Sequence, residues 1–252
     1  MNSQGDQKLM AHSESQEHFK YMSSGWTRRI LAALLVMLFI LPVWGADKSK
    51  DDDTLKNAAT VLDSMLSSNN IPPDVLARAD CVIVLPSVKK FGFVVGGSGG
   101  RGPMSCRQGK SFTGKWSPPA MYTMGGASFG FQVGGSSTDV VLLVMAEKAV
   151  ESMLNGKTKL GNDATAAAGP SGATSMGTVG GSDILTYGRA KGLFAGMSLG
   201  GATLEPDTDA NQRLYGKEIS AKEILLGNAV KMPAGGQPLV SLLNSKIAKH
   251  SN

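Results

Sequence analysis

Histidine is scarce in this chain. His12 and His18 lie near the N-terminus, His250 lies near the C-terminus, and the rest of the 252 residues contain none. Histidine is the commonest general base of enzymes, the usual partner of a catalytic serine or cysteine, and a frequent zinc ligand. Since all three histidines fall outside the segment expected to fold, the sequence predicts a protein that is not an enzyme and that binds no metal.

Cofactor motifs are also lacking. Residues 97–102 read Gly-Ser-Gly-Gly-Arg-Gly and match the letters of the dinucleotide-binding fingerprint. That fingerprint requires a helix directly after it and an acidic residue about 20 positions later. Here Pro103 and a polar stretch follow, and the acidic residue is missing. The sequence therefore predicts no cofactor.

Cysteine is limited to Cys81 and Cys106. If the protein is exported to an oxidising compartment, the two can form one intramolecular disulfide. Cys81, however, opens the apolar run 81–85, where an unpaired buried thiol packs as a small hydrophobic group. The sequence leaves both alternatives open.

Long apolar runs are limited to residues 30–43, which follow Arg28 and Arg29. A membrane-spanning helix needs about 20 apolar residues, and this run is shorter and contains Pro42. A basic segment, a short apolar core and small residues after it are typical of a secretory signal peptide. We therefore expect residues 1–45 to be a signal peptide with an N-terminal extension. The protein is then exported, periplasmic or extracellular, with an uncleaved membrane anchor as the alternative.

The mature chain is expected to begin with a charged linker and a helix. Residues 46–53 are mostly charged and are interpreted as the linker. Asp53 or Thr54 can cap a helix that runs to Ser67 and carries its apolar residues on one face.

Glycine becomes frequent after residue 90. Segments 91–97, 129–135 and 194–201 each alternate apolar with small residues and contain a Gly-Gly pair. Alternation is the period of a β-strand, and paired glycines mark turns, bulges or close backbone approach. We predict a single α+β domain over residues 54–249. Its glycine-rich antiparallel sheet is curved or barrel-like and is flanked by N- and C-terminal helices.

Excess charge is small, because the full chain carries a formal net charge of +5. This value is far from that of a nucleic-acid-binding domain, but it suits an anionic phospholipid surface. Basic residues at or near the predicted turns are the candidate lipid-binding residues. They are Lys89, Lys90, Arg101, Lys115, Arg189 and Lys191. These side chains either converge at one end of the sheet or form a scattered, solvated set.

Several short motifs follow one another along the chain. They occupy residues 114–120, 130–135, 168–170 and 187–196, followed by Asn211 and Tyr215. In this order they resemble the motifs of the SYLF family, also called the Ysc-type actin-binding domain. Together they extend the resemblance over roughly residues 55–245. The resemblance implies lipid binding that involves an amphipathic N-terminal helix, and actin binding in some fungal members.

The combined prediction is a non-catalytic lipid-binding protein of the cell envelope. Basic turns would bind anionic phospholipid headgroups, and the amphipathic helix 54–67 would insert its apolar face into the membrane. The alternative is a structural or protein-binding envelope component, an actin-binding-type scaffold without lipid specificity.

Overall fold

The computed structural model describes residues 44–92, 95–129, 136–170, 181–190, 193–196, 199–227 and 230–246. Residues 1–43 of the predicted signal peptide lie outside this set, and so does Lys191. Residues 46–252 are grouped by their contacts as one compact unit.

A curled antiparallel sheet forms the centre of the fold. Within the described residues it has nine strands. They are β1 (Cys81–Gly92), β2 (Val95–Cys106), β3 (Ala120–Phe129), β4 (Ser136–Val144), β5 (Thr158–Lys159), β6 (Ala166–Ala168), β7 (Ile184–Ala190), β8 (Leu193–Gly196) and β9 (Thr203–Pro206). The order is β5-β9-β3-β2-β1-β4-β7, and β6 and β8 share the outer edge of β7. Among the described strands only β6 pairs in parallel, with β7, so the prediction of a glycine-rich antiparallel sheet is confirmed.

Six α-helices and two short 3-10 turns flank the described part of the sheet. The helices are α1 (Trp44–Ser67), α2 (Pro73–Ala77), α3 (Glu147–Leu154), α4 (Thr208–Tyr215), α5 (Ala221–Leu226) and α6 (Gln237–Lys246). The 3-10 turns are Lys110–Phe112 and Ala234–Gly236. None of these described helices is both long and apolar enough to cross a bilayer.

The sheet is covered on both faces. Along β4, Val141 and Leu143 point to one face, which we call the α1 face, where they join the cluster formed by α1, α2 and α6. Val140 and Leu142 alternate with them and join the opposite cluster, which contains α3 and α5. This alternation is the period of a strand buried on both sides. It predicts an apolar run without polar interruption, as residues 140–144 have.

A β-bulge in β1 decides which face its last residues take. Leu85 lies opposite Val140 and Val88 lies opposite Thr138, so β1 has one extra residue in this interval. One extra residue reverses the alternation of side chains. As a result Val88 stays in the buried cluster that contains Leu85, and Lys89 points to the α1 face.

The predicted charged linker at residues 46–53 is wrong. These residues form part of α1, which begins at Trp44 and ends, as predicted, at Ser67. Lys50 is exposed and Asp47 is half-buried, and the two form an ion pair on the helix surface. Asp51 is instead fully buried, because two arginines from other elements neutralise it. The run of charged residues at 46–53 therefore belongs to an ordered helix, and its charge did not indicate a linker.

The disulfide that the sequence leaves open is present. Cys81 on β1 and Cys106 on β2 lie directly opposite each other, their Cα atoms 4.0 Å apart, and both are fully buried. The bond therefore crosses two neighbouring strands at the centre of the sheet.

Candidate functional site

Arg101 is one of the predicted lipid-binding residues, and the structure places it in an ion-pair cluster on β2. Its guanidinium contacts the buried carboxylate of Asp51 and lies 3.3 Å from Asp207 Oδ2. Arg213 on α4 donates from Nε to Asp51 Oδ2 at 2.8 Å. The hydrogen bond to Asp51 raises the pKa of Arg213. We call Asp51, Arg101, Asp207 and Arg213 the Asp51 cluster.

The Asp51 cluster joins three elements. Asp51 belongs to α1, Arg101 to β2 and Arg213 to α4, while Asp207 caps α4 by accepting the amide of Ala210 at 3.0 Å. A buried carboxylate is costly unless it is paired, and here two guanidinium groups pair with it. Arg101 thus holds the first half of α1 against the sheet.

Arg189 has a similar role at the other end of α1. It lies in strand β7 and not in the predicted turn, directly opposite Asp139 on β4. Its guanidinium forms an ion pair with Asp139 at 3.0 Å and also donates to Ser64 Oγ on α1. Asp139 accepts a second hydrogen bond, from the amide of Ser87, at 3.0 Å. Arg189 therefore joins β4, β7 and α1.

Arg101 and Arg189 do not converge. Their partners Asp51 and Ser64 both belong to α1, and a rise of 1.5 Å per residue puts those partners about 20 Å apart along the helix. The two arginines are therefore attachment points of one helix rather than parts of one pocket.

The remaining candidate lysines are more accessible to solvent. Lys89 is exposed on the α1 face of β1, whereas Lys90 is half-buried and points to the opposite face. Lys115 is exposed in the connection between β2 and β3. Among the described residues, none of these three ammonium groups has an ion-pair partner. A lipid-binding role for them, and for Lys191 outside the described residues, stays a prediction.

The apolar side of α1 is part of the core. Leu55, Ala58, Leu62 and Met65 are fully buried against the sheet and neighbouring helices. The expectation that this helix inserts its apolar face into a membrane does not fit this packing, because that face is already covered. The sequence pattern was correct about amphipathicity, but the partner of the apolar face is the sheet.

A cavity of about 310 Å³ lies beside the C-terminal end of α4, and no feature of the sequence predicts it. We call it the α4 cavity; it is lined by Leu214, Tyr215, Lys217, Val230, Lys231, Met232 and Pro233. Gly216 ends α4 in the left-handed conformation, with a φ of 68°, and turns the chain toward Lys217. No local pattern of the sequence indicates that residues 230–233 return to α4.

Tyr215 forms a fixed wall of this cavity. Its hydroxyl donates to the carbonyl oxygen of Pro119 at 2.7 Å, and burial raises the pKa of the phenol. The ring is therefore neutral and held in one orientation at physiological pH.

Several residues of the recognised motifs have structural roles. The side chain of Asn211 brackets Met121, accepting its amide at 2.7 Å and donating to its carbonyl oxygen at 3.2 Å. Trp116 is buried under the guanidinium of Arg107, whose carbon lies 4.8 Å from the ring centroid. At Gly169 a Cβ atom would lie only 2.2 Å from the ring of Tyr187, so only glycine fits there. These motif residues hold the fold together.

Comparison with known proteins agrees with these motifs. Residues 125–246 match the family described as Ysc84, Las17-binding protein actin regulator. The chain belongs to the Ysc84, or SYLF, domain family. The matched segment runs from the middle of β3 to the end of α6, so it includes the whole α4 cavity. The family description names a binding protein and a regulator, and it names no reaction.

Three curated relatives illustrate the similarity. An SH3 domain-containing protein of Schizosaccharomyces pombe is 39% identical over 70% of this chain and 41% of its own length. LAS seventeen-binding protein 3 of Saccharomyces cerevisiae is 34% identical over 76% of this chain and 43% of its own length. SH3 domain-containing YSC84-like protein 1 of Homo sapiens is 35% identical over 72% and 53%. The chain thus spans about half the length of the curated relatives it matches.

Proposed function

We propose that this chain is a non-catalytic protein-binding domain of the actin-regulator type. The observation that carries the proposal is its membership of the SYLF family, whose description names a binding protein and actin regulator and which includes a relative named LAS seventeen-binding protein 3. This favours the scaffold alternative of the sequence analysis over lipid binding as the main function. The arrangement of the arginines is consistent with it, since Arg101 and Arg189 serve internal ion pairs.

Sedimentation with actin filaments tests this proposal. The purified chain is mixed with increasing concentrations of filaments and centrifuged, and the pelleted fraction is compared with that in a tube without actin. We expect the chain to pellet in a saturable manner with the filaments. If it stays in the supernatant at the highest filament concentration, the actin form of the proposal is wrong.

Binding of anionic phospholipid is a second candidate function. The supporting observation is that Lys89 and Lys115 are exposed and have no ion-pair partner among the described residues. A basic residue near an anionic membrane contributes about 1 kcal/mol to binding. The Lys89→Glu/Lys115→Glu variant should therefore float with phosphatidylserine-containing vesicles much less than the parent chain. Equal flotation of the two proteins would eliminate these lysines as headgroup ligands.

We also propose that the protein is exported. The apolar run 30–43 after two arginines supports a signal peptide, and the buried Cys81–Cys106 disulfide supports an oxidising destination. N-terminal sequencing of the protein from its native source should give a chain that begins at Ala46 or Asp47. A mature chain that still contains Trp26 would contradict signal-peptide cleavage.

A further inference from the structure

The α4 cavity has walls that are fixed by the core on several sides. Tyr215 packs against two hydrophobic clusters, Val230 against one of these, and Met232 against the cluster on the α1 face. Leu214 is itself buried between α1, β3 and α4. The cavity is therefore held open by side chains whose positions the fold determines. A preformed cavity binds with a smaller loss of conformational entropy than one that must form.

The lining combines apolar and aromatic side chains with two exposed lysines, which lie where the cavity opens to solvent. Apart from Lys217 and Lys231, the described lining residues are apolar or aromatic, and none of them carries a carboxylate. Both lysines are exposed, and neither has an ion-pair partner within the described residues. Hydrogen bonds from the Ser220 hydroxyl, at 2.6 Å, and from the Ser220 amide lower the pKa of Glu223, and the charge of Lys217 lowers it further, so that carboxylate is already engaged by Ser220.

The size of the cavity restricts its occupant. A volume of about 310 Å³ is at the lower end of the range of about 300–1,000 Å³ that is usual for ligand sites. That volume suits one large aromatic or aliphatic side chain, whereas a diacyl lipid would have to place two long chains. Single apolar anchors of this kind, seated in a pocket, often dominate the energy of a protein interface.

We infer that the α4 cavity binds a partner peptide through one large apolar side chain, with acidic residues of that peptide pairing with Lys217 and Lys231. This inference rests on the proposed function only in that it takes the partner to be a protein. Electrostatic complementarity at the opening would orient the peptide, and burial of its large apolar side chain would supply most of the affinity.

Fluorescence anisotropy with defined peptides tests the inference on the full chain. The probe is a labelled peptide with the sequence Asp-Glu-Asp-Phe-Glu-Asp-Glu. Its comparators replace the Phe by Ala, or every acidic residue by Lys. We expect saturable binding of the probe, a loss of at least about tenfold in affinity for the Ala peptide, and no saturable binding of the Lys peptide. Absence of binding by the probe, or equal binding by the Ala peptide, would overturn the inference.

Two variants connect the binding to the cavity. Lys217→Glu/Lys231→Glu reverses the charge at the opening and should weaken probe binding by at least about tenfold. Lys157→Glu/Lys222→Glu makes the same change in net charge on exposed residues outside the cavity, and it should bind like the parent. Val230→Phe fills the cavity and should also weaken binding, with its melting temperature measured to verify folding. Equal effects of the two charge-reversal variants would overturn the assignment to the cavity.

Two further measurements separate the alternatives. If phosphatidylserine vesicles bind the parent but not the Val230→Phe variant, while the peptide does not bind, the occupant is a lipid and the inference is wrong. Actin sedimentation is scored independently. Filament binding without peptide binding rejects this inference alone, whereas peptide binding without filament binding rejects only the actin form of the proposed function.

Discussion

Asp51 is a carboxylate without exposed surface, and its two arginine partners are only partly buried. The side chains of Arg101 and Arg213 are 36% and 23% exposed, so water can hydrate their guanidinium groups when the Asp51 carboxylate is removed. Arg101 also keeps its ion pair with Asp207. The cost of losing the carboxylate is therefore below that of a pair that is buried on both sides.

We expect Asp51→Ala to lower the free energy of unfolding by about 2–3 kcal/mol, which is at or below the lower end of values for broken buried ion pairs. Urea denaturation at neutral pH measures the change. Asp53→Ala is the matched control, because Asp53 lies on the same helix and forms only an exposed pair with Lys56 at 3.4 Å. A parent-like midpoint for both variants would contradict a structural role for Asp51.

At the scale of elements, α1 is attached to the rest of the fold at several points. The Asp51 cluster holds its first half, Arg189 holds Ser64 near its end, and the amide of Gly235 donates to Asp52 Oδ1 at 3.0 Å. Between these polar contacts the apolar side of the helix fills the α1 face of the sheet. The helix is thus an integral part of the domain.

Arg189→Glu should destabilise the domain by about 1–3 kcal/mol, because it places two carboxylates opposite each other on neighbouring strands and removes the donor to Ser64. Chemical denaturation checks this expectation. Lys89→Glu makes the same charge change on the same face of the sheet, without an ion pair to lose, and should unfold like the parent. If Arg189→Glu also unfolds at the same denaturant concentration as the parent, the ion pair with Asp139 contributes nothing to the free energy of unfolding.

Asp183 connects α3 to the strands at the edge of the sheet. Burial acts to raise its pKa, but hydrogen bonds from Thr165 and the nearby Lys148 ammonium, 3.0 Å away, outweigh burial and lower it. A pKa lowered by folding means that the ionised group stabilises the fold above the unfolded pKa of about 4. This stabilisation is lost as the pH falls through the folded pKa.

Asp183→Asn should therefore lower the free energy of unfolding at pH 7. It should also make the free energy of unfolding fall less when the pH is lowered. Urea unfolding of parent and variant at pH 7 and at about pH 3 measures both effects, since the second value lies below the unfolded pKa of an aspartate. The difference between the two proteins should shrink at the lower pH. A difference that is the same at both pH values would show that ionisation of Asp183 is not linked to folding.

At the scale of the whole molecule, the disulfide crosses the centre of the sheet between cysteines separated by 25 positions in the chain. A crosslink that closes a loop of this length removes conformational entropy from the unfolded chain and stabilises the fold by about 3 kcal/mol. Because both sulfur-bearing residues are fully buried, a reducing agent reaches them only when the strands separate.

Cys81→Ala/Cys106→Ala should accordingly unfold at lower urea concentration than the parent, by an amount equivalent to about 3 kcal/mol. The parent should resist reduction by dithiothreitol under native conditions and should be reduced rapidly in urea. Mass spectrometry after alkylation measures the reduced fraction. Rapid reduction of the folded parent, or a double variant as stable as the parent, would contradict this description.

Local patterns in the sequence determined the elements of this protein. Alternating apolar and small residues predicted a glycine-rich antiparallel sheet, because alternation is a property of each strand by itself. Segment 91–97, however, is not one strand, because it contains the end of β1 and the start of β2, and Phe91 pairs with Gly97. Segment 129–135 lies mostly outside the described residues. The capping box at Ser220 and Glu223 is a local signal for the start of α5, because both of its hydrogen bonds form within one turn. The motifs that identified the SYLF family were also readable along the chain.

Tertiary structure alone decided the partners of the charged residues and the shape of the candidate site. Asp51 and Arg213 are 162 positions apart, so no local pattern indicates that residues 46–53 form a helix around a buried ion pair. The α4 cavity likewise forms where residues 230–233 lie beside the end of α4, although α5 separates the two segments in the sequence. Side-chain alternation and capping act over a few residues, whereas ion pairing and packing depend on which distant segments the folded chain brings together.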